Sequence, residues 1–383
     1  MTATHSDKAG TRLERCLAYL RADEGNPGLL AEVFDLSLAT GHREQARAVL
    51  GEALRRYPDD DHFRFRLATF CIAERRLEEA EKTLTSMAAQ ASPPAAVLHN
   101  LAHVQMLQGR HADAARTLRG VVERPDSPPE SAAMLVRCLH HCGELEDAAR
   151  FGRERLETHG ADPSLAAATS LALWDLGGAE EAGTLADEAL ASFPSAIEAL
   201  VTRGSIALSA RDATRARESF ERAIAVHAED GRSWSGLGLA QLIALDVPAA
   251  LASFEHAVAH MPDHIGTWHA FGWCQLLARD AQAAQASFAR ALALDRTFAE
   301  SHGGLAVALA IGGRRDEADE AAQRALRLDP QCLSARYAKA ILDGEIRDAE
   351  SFRGVAERLL AGREGIDASA LGRALARLNR RRV

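Results

Sequence analysis

Histidine and cysteine side chains gather at two places in the sequence, and both amino acids can bind metals or move protons. His99 and His103 are four residues apart, so they share one face if the segment is helical. A second group follows at Cys138, His140, His141 and Cys142. Zinc needs about four nitrogen or sulfur ligands in a tetrahedron, and a spacing of four supplies only two. We therefore expect solvated histidines and a packed Cys138, and a metal- or proton-responsive site is the alternative.

No motif of a known catalytic site occurs in the chain. It lacks a phosphate-binding glycine loop with its lysine, a nucleophile elbow and a His-Glu-x-x-His zinc motif. The six cysteines show no spacing typical of a disulfide framework, which indicates free thiols in a reducing compartment. We expect a cytoplasmic protein that is not an enzyme and that uses no cofactor or metal.

Composition restricts the class of partner. The 383 residues include 45 basic and 54 acidic side chains, which gives a net charge of −9. The chain therefore lacks the positive field that attracts nucleic acid. No apolar run approaches the ~18 residues that cross a bilayer, so we expect no membrane partner. Alanine is frequent and aromatic residues make up only 5%, which favours helix over strand.

The elements that position these side chains follow from a period of 34 residues. Alanine recurs at that interval through most of the chain, and apolar residues in each interval fall at i, i+3, i+4 and i+7, the stripe of an amphipathic helix. We therefore expect a pair of helices in every repeat, crossing closely at the alanine. The recurring alanines are Ala46, Ala80, Ala114, Ala148, Ala182, Ala216, Ala250, Ala284 and Ala318.

Glycine and proline mark where the two helices of a repeat end. Glycine suits the left-handed conformation that caps a helix, and proline cannot continue one. The glycines predicted to end first helices are Gly41, Gly109, Gly143, Gly177 and Gly313. The prolines predicted to follow second helices are Pro58, Pro194, Pro262 and Pro330.

The repeat at 231–264 carries the fullest pattern: Trp234, Leu237, Gly238, Ala250, Phe254, Ala257 and Pro262. This pattern resembles the tetratricopeptide repeat family. The resemblance implies an all-α fold, a right-handed superhelical solenoid of antiparallel helix pairs with helical caps. Residues 1–26 would form an N-terminal capping helix, 27–332 nine tandem repeats, and 333–383 a degenerate tenth repeat with a C-terminal capping helix and basic tail.

The repeats are not uniform. The first five replace the glycine of the Leu-Gly pair by Phe34, Ala68, Ala102, Val136 and Ser170. At the C-terminal end, Asp367 is predicted to cap a last helix that carries Leu371, Leu375 and Leu378 on one face.

In the family, positions 2, 5, 9, 12 and 13 of each first helix line the concave surface, with position 6 beside them. The resemblance therefore predicts a partner-binding groove with two zones. The polar zone holds His62, Arg66, His99, Asn100, His103, Arg137 and His140. The apolar zone holds Trp174, Leu208, Leu239, Leu242, Trp273, Leu276 and Leu277.

We predict a non-catalytic scaffold or adaptor that binds a partner peptide or helix in this groove. Apolar anchors would lie over Trp273, Leu239 and Leu276. An acidic stretch would lie near Arg66, Arg137 and His103. Two alternatives stay open: an accessory subunit of an enzyme or biosynthetic complex, and a metal- or pH-responsive regulator that uses the groove histidines. Association of two copies of the chain is left open as well.

Overall fold

The structure is a computed structural model that describes residues 3–346, 350–351 and 354–355, with side chains from Gly10 onward. This part of the chain is all-α and contains twenty helices. The predicted C-terminal helix with Leu371, Leu375 and Leu378, and the basic tail, lie outside the described residues.

Helix α1 (Ala3–Ala22) precedes nine helix pairs, and α20 (Leu333–Leu342) follows them. The first helices of the pairs are α2 (Pro27–Ala39), α4 (Asp61–Ala73), α6 (Ala95–Leu107), α8 (Ser131–His141), α10 (Pro163–Asp175), α12 (Ile197–Ser209), α14 (Gly231–Ile243), α16 (Ile265–Leu277) and α18 (Ala299–Ile311). The second helices are α3 (Arg43–Arg56), α5 (Leu77–Ala88), α7 (His111–Arg119), α9 (Leu145–His159), α11 (Ala179–Ser192), α13 (Ala213–Val226), α15 (Val247–His260), α17 (Ala281–Leu294) and α19 (Arg315–Leu328).

First helices begin where local chemistry favours a helix start. Asp60 and Asp162 each accept hydrogen bonds from two backbone N–H groups of the helix they precede. Pro163 occupies the first helical position, where its missing N–H costs nothing. Helix α8 begins at Ser131, two residues later than the period predicts, after the Pro128-Pro129 pair.

The five predicted ends of first helices are confirmed at the backbone. Gly41, Gly109, Gly143, Gly177 and Gly313 all have positive φ, between 76° and 88°. The four remaining repeats place other residues in the same left-handed conformation, with φ between 57° and 67°. They are Arg75, Arg211, Leu245 and Arg279. The geometry therefore recurs every 34 residues whether or not glycine is present. The four predicted prolines each follow the last helical residue by two positions.

The recurring alanines are buried, as close helix crossing requires. All nine, from Ala46 to Ala318, are fully buried. At a close crossing, a larger side chain would force the neighbouring helix to move.

The chain divides into two compact units, Met1–Leu176 and Gly177–Val383, which we call the N-terminal and C-terminal units. The boundary falls between the two helices of the fifth repeat. Within each unit, helices that follow one another in sequence pack together, and the first helices of most successive repeats adjoin.

In the N-terminal unit, α1 packs on the first repeat. Leu13 and Cys16 are buried against Val33, and Leu17 and Leu20 pack around them. These are the apolar positions of the α1 stripe, so this helix covers the open side of the first pair.

In the C-terminal unit, phenylalanines of second helices lie against glycines of first helices. A Cβ atom on Gly236 would come within 2.3 Å of the Phe220 ring, and one on Gly272 within 2.8 Å of the Phe288 ring. The glycines thus let an aromatic ring approach the backbone of a first helix.

Candidate functional site

The candidate site is the inner face of each unit, by which we mean the side chains at positions 2, 5, 6, 9, 12 and 13 of the first helices. On α14 this face exposes large apolar groups. Leu239 and Ile243 are 38% and 40% exposed, although Gly238 and Ala240 beside them are buried. Apolar side chains left in water within a regular helix mark a surface that another molecule can cover.

Trp273, on α16, is the largest group of the inner face in the C-terminal unit. It is half-buried: its ring meets the edge of Phe288 at 6.0 Å and packs near Ala284 and Ala308. Its indole Nε1 donates a hydrogen bond of 3.1 Å to His269 Nε2. One side of the indole is therefore fixed by the fold.

His269 holds Trp273 in place and was missed by the sequence reasoning, although it lies at position 5, an inner-face position. Because its Nε2 accepts from the indole, the neutral ring carries its proton on Nδ1. That Nδ1 is buried and has no hydrogen-bond partner among the described residues. Burial lowers the pKa of His269, which keeps the ring neutral and able to accept.

The other predicted apolar residues differ in how much the fold covers them. Leu242 and Leu277 are half-buried against the core of α14, α15 and α16, and Leu276 packs toward α18. Leu208 is half-buried on α12. Ile311, at position 13 of α18, is 53% exposed and extends the apolar surface beyond the predicted set. The 34-residue phase could have found it.

Polar residues of the N-terminal inner face have partners within the chain. The Arg66 guanidinium binds the Asp35 carboxylate through two hydrogen bonds, of 3.0 and 2.7 Å. Arg66 comes from the second repeat and Asp35 from the first. This ion pair therefore ties neighbouring repeats together and cancels the positive charge predicted to attract an acidic segment.

The histidines of α6 are also partly enclosed. His99 Nδ1 lies 2.8 Å from the Ser131 hydroxyl. Burial lowers the pKa of His99, and burial together with the charge of Arg75 lowers the pKa of His103. Both rings are therefore neutral near pH 7, and the polar zone offers hydrogen bonds more than charge.

The fourth repeat shows the same kind of contact. Arg137 donates to the Ser164 hydroxyl across 3.2 Å, and His140 Nε2 lies 2.7 Å from an Asp175 carboxylate oxygen. The remaining predicted residues are His62, exposed, and Asn100 and Trp174, both half-buried.

The structure brings histidines together by stacking. The rings of His111 and His141 are 4.3 Å apart and nearly parallel, and His140 meets His141 edge-on. His99 contacts the Ser131 hydroxyl instead. Among the described residues, no group of three or more His, Cys, Asp or Glu side chains is placed to hold a metal ion.

The cysteines of the described residues are free thiols, and five of the six are buried. Burial raises the pKa of Cys138 and of Cys274 to about 12 and that of Cys332 to about 11. Because the thiolate is the reactive form, these groups are inert near neutral pH.

The helix order and packing define an α-solenoid of helical hairpins. Models of the tetratricopeptide repeat match residues 37–102, 167–218, 201–264 and 299–332, which together span more than half of the chain. The chain is a tetratricopeptide repeat protein. This repeat is generally non-catalytic, and proteins built from it bind protein or peptide partners.

The chain is similar to several solved structures. A monomeric mutant of IFIT1 with Gppp-AAAA is 14% identical, with 93% of this chain and 90% of that one covered and a TM-score of 0.53. YrrB, described as a TPR protein with an unusual peptide-binding site, is 22% identical over 50% of this chain and 98% of its own, with a TM-score of 0.41. TTC0263, a thermophilic TPR protein of Thermus thermophilus, is 24% identical over 47% and 99%, with a TM-score of 0.39. No curated protein sequence matches the chain.

Within the described part of the chain, every helix is too short or too polar to cross a bilayer.

Proposed function

We propose that this protein is a non-catalytic interaction protein that binds a segment of a partner protein on the inner face of its C-terminal unit. The observation that carries the proposal is the exposure of Leu239, Ile243 and Ile311 on first helices. These three side chains, with the free side of Trp273 between them, form what we call the apolar stripe.

The apolar stripe supplies part of the energy of binding. Full burial of a Leu or Ile side chain contributes roughly 1.5–3 kcal/mol. Leu239, Ile243 and Ile311 are 38%, 40% and 53% exposed, so each gains roughly half of that when a partner covers it. An aromatic side chain that is already fixed loses little entropy on binding. His269 and Phe288 both contact Trp273. Trp273 is therefore a preorganised anchor for an apolar side chain of the partner.

The extent of the stripe favours a chain segment over a small molecule. The stripe lies on α14, α16 and α18, which adjoin in that order. Ligand pockets for small molecules are concave and compact, whereas a peptide or helix uses anchors spread along its length. Small side chains between the anchors, including Ser235 and Ala270, leave room for the partner backbone.

The polar zone of the N-terminal unit supports a narrower proposal, in which an acidic segment binds near Arg66 and Arg137. Arg66 must then leave Asp35 for the ligand carboxylate. We therefore expect Arg66→Glu to weaken binding of such a segment only moderately, in a titration followed by calorimetry.

The test is affinity purification from the native host with mass spectrometry, followed by titration of the identified partner. We expect Leu239→Glu with Ile243→Glu, or Trp273→Ala alone, to weaken binding by a factor of ten or more. Val226→Glu is the matched control, because Val226 is 48% exposed but lies at the end of second helix α13. If the control weakens binding and the stripe variants do not, the assigned face is wrong. If the identified partner is an enzyme, the chain is its accessory subunit.

A further inference from the structure

A groove of about 860 Å³ lies between the second helices α17 and α19 of the C-terminal unit, away from the apolar stripe. Apolar side chains of α17 and α18 form its floor, and charged side chains line its rim. Its lining includes Leu305, Glu317, Glu320, Ala321, Arg324 and Arg327.

The groove has a specific origin in the sequence. In the two preceding repeats a tryptophan fills position 4, and its Nε1 donates to a backbone carbonyl six residues earlier, Trp234 to Ala228 and Trp268 to Pro262. In the ninth repeat His302 occupies this position and its Nε2 donates to the Arg296 carbonyl across 3.0 Å. The imidazole makes the same anchoring contact with a smaller ring, so the space beside it stays open.

The charges along the exposed side of α19 are ordered. Glu317 and Glu320 lie in its first half, Arg324 and Arg327 in its second half, and all four are exposed. Within the described residues, the side chains of Glu320, Arg324 and Arg327 form no hydrogen bond or ion pair. Glu317 pairs with Arg314, and this exposed pair contributes little to stability and is easily exchanged.

The charge order of α19 is complementary to that of a second copy of α19 that lies antiparallel to it. If a second α19 lies antiparallel to the first, Glu317 faces Arg327 of the second copy and Glu320 faces Arg324 of the second copy. A twofold axis generates each contact twice, so four ion pairs form. Ala321 lies near the centre of the stripe, and its small side chain permits close approach of the two helices.

We propose that two copies of this chain associate through α19, each α19 lying along the α17–α19 groove of the other. The groove supplies the apolar contact, through Leu305 and its neighbours, and the charge order fixes the antiparallel direction. This association uses α19 and the floor of the groove and involves none of the four residues of the apolar stripe, so it is independent of the proposed function.

The other second helices lack this order. At the four equivalent positions α13 carries Arg215, Glu218, Arg222 and Ala225, which gives half as many favourable pairs. Helices α15 and α17 carry mostly alanine there. Of α13, α15, α17 and α19, only α19 can form all four pairs.

The test is the mass of the intact chain in solution, by light scattering or sedimentation at about 100 μM, above the dissociation constant of a micromolar complex. We expect twice the 41.2 kDa of one chain, and dissociation at high salt because the pairs are screened. Arg324→Glu with Arg327→Glu, or Glu317→Arg with Glu320→Arg, should raise the dissociation constant at least tenfold. An equimolar mixture of the two double variants should restore the dimer.

The matched control is Arg215→Glu with Arg222→Glu on α13, which changes the charge by the same amount and should leave the dimer intact. Circular dichroism shows whether each variant is folded. A monomer at the highest concentration, a dimer that survives both reversals, or a mixture that stays monomeric overturns the proposal.

Discussion

The inner faces of the two units differ in whether their side chains already have partners. In the N-terminal unit, Arg66 binds Asp35, and His99 and His140 contact residues of the next repeat. In the C-terminal unit, Leu239 and Ile243 are left in water. The same repeat thus uses its inner positions in one unit to join neighbouring repeats and in the other to present an uncovered surface.

The difference shows that chemical type alone does not identify a binding residue. Arginine and histidine on an inner face suggest recognition, yet here they are largely occupied by groups one repeat away. Exposed leucine and isoleucine look unremarkable in a sequence and carry the stronger argument, because the fold leaves them uncovered. The cores of the two units also differ, because packing of phenylalanine against glycine is concentrated in the C-terminal unit.

The largest expected effect is that of Phe288→Ala. Phe288 is fully buried, contacts Gly272 and Gly304, and supports Trp273. Removal of the ring should cost about 3–5 kcal/mol of unfolding free energy and weaken partner binding, because the indole loses its support. Hydrogen exchange with mass spectrometry should locate the loss in the C-terminal unit. Equal loss in both units would contradict the division into two units.

Overpacking of the alanine crossings should have the next largest effect on stability. Ala250→Leu in the C-terminal unit and Ala80→Leu in the N-terminal unit place three extra carbons at fully buried crossings. We expect each to cost roughly 1–3 kcal/mol, because the helices must move apart. Chemical denaturation measures this cost. Unchanged stability in both variants would remove the argument for close crossing.

Acid should destabilise both units through their buried histidines. Burial lowers the pKa of His99, His103 and His111 in one unit and of His264 and His269 in the other. The unfolded chain binds more protons, so this stability is present above the ordinary pKa of 6.5 and is lost as the pH falls through the lowered folded values. Hydrogen exchange at pH 7 and pH 5 measures the loss in each unit. Unchanged protection in both units would show that these histidines do not contribute to stability.

The smallest effects are expected at the left-handed residues. Gly143→Ala should cost about 1 kcal/mol, because φ is 76° and a Cβ atom is strained there. Arg279→Gly should gain less than that, since relief of strain at φ 67° is offset by the added freedom of the unfolded chain. Thermal melts of the two variants measure the difference. An equal and opposite pair of shifts would contradict the role of the unfolded state.

Much of the fold is predictable because its causes are local. Helix starts follow from capping residues such as Asp60, and helix ends from glycine and proline within a few positions. The 34-residue alanine period predicts which side of each hairpin is buried. A search for glycine does not find the helix ends at Arg75, Leu245 and Arg279. The repeat geometry imposes a positive φ on these residues, although their side chains disfavour it.

The sequence predicts which residues share the inner face of the candidate site, but not which of them are exposed. The repeat phase places Leu239, Leu242 and Leu277 on the same face, but cannot say that Leu239 stays exposed while Leu277 is covered. That difference depends on side chains from neighbouring helices. The bond between His269 and Trp273 links residues four apart, yet burial by Phe288 and Phe298 makes it specific.

The sequence by itself determined a chain of helical hairpins of constant length, because periodicity, capping and helix propensity act over a few residues. The tertiary structure decided which inner side chains are neutralised, which are covered and which remain open to a partner. Those outcomes depend on groups about one repeat away, such as Asp35 beside Arg66, and their distances are set only when the repeats stack. The groove beside His302 has the same cause, since it is a space between helices and no residue encodes it alone.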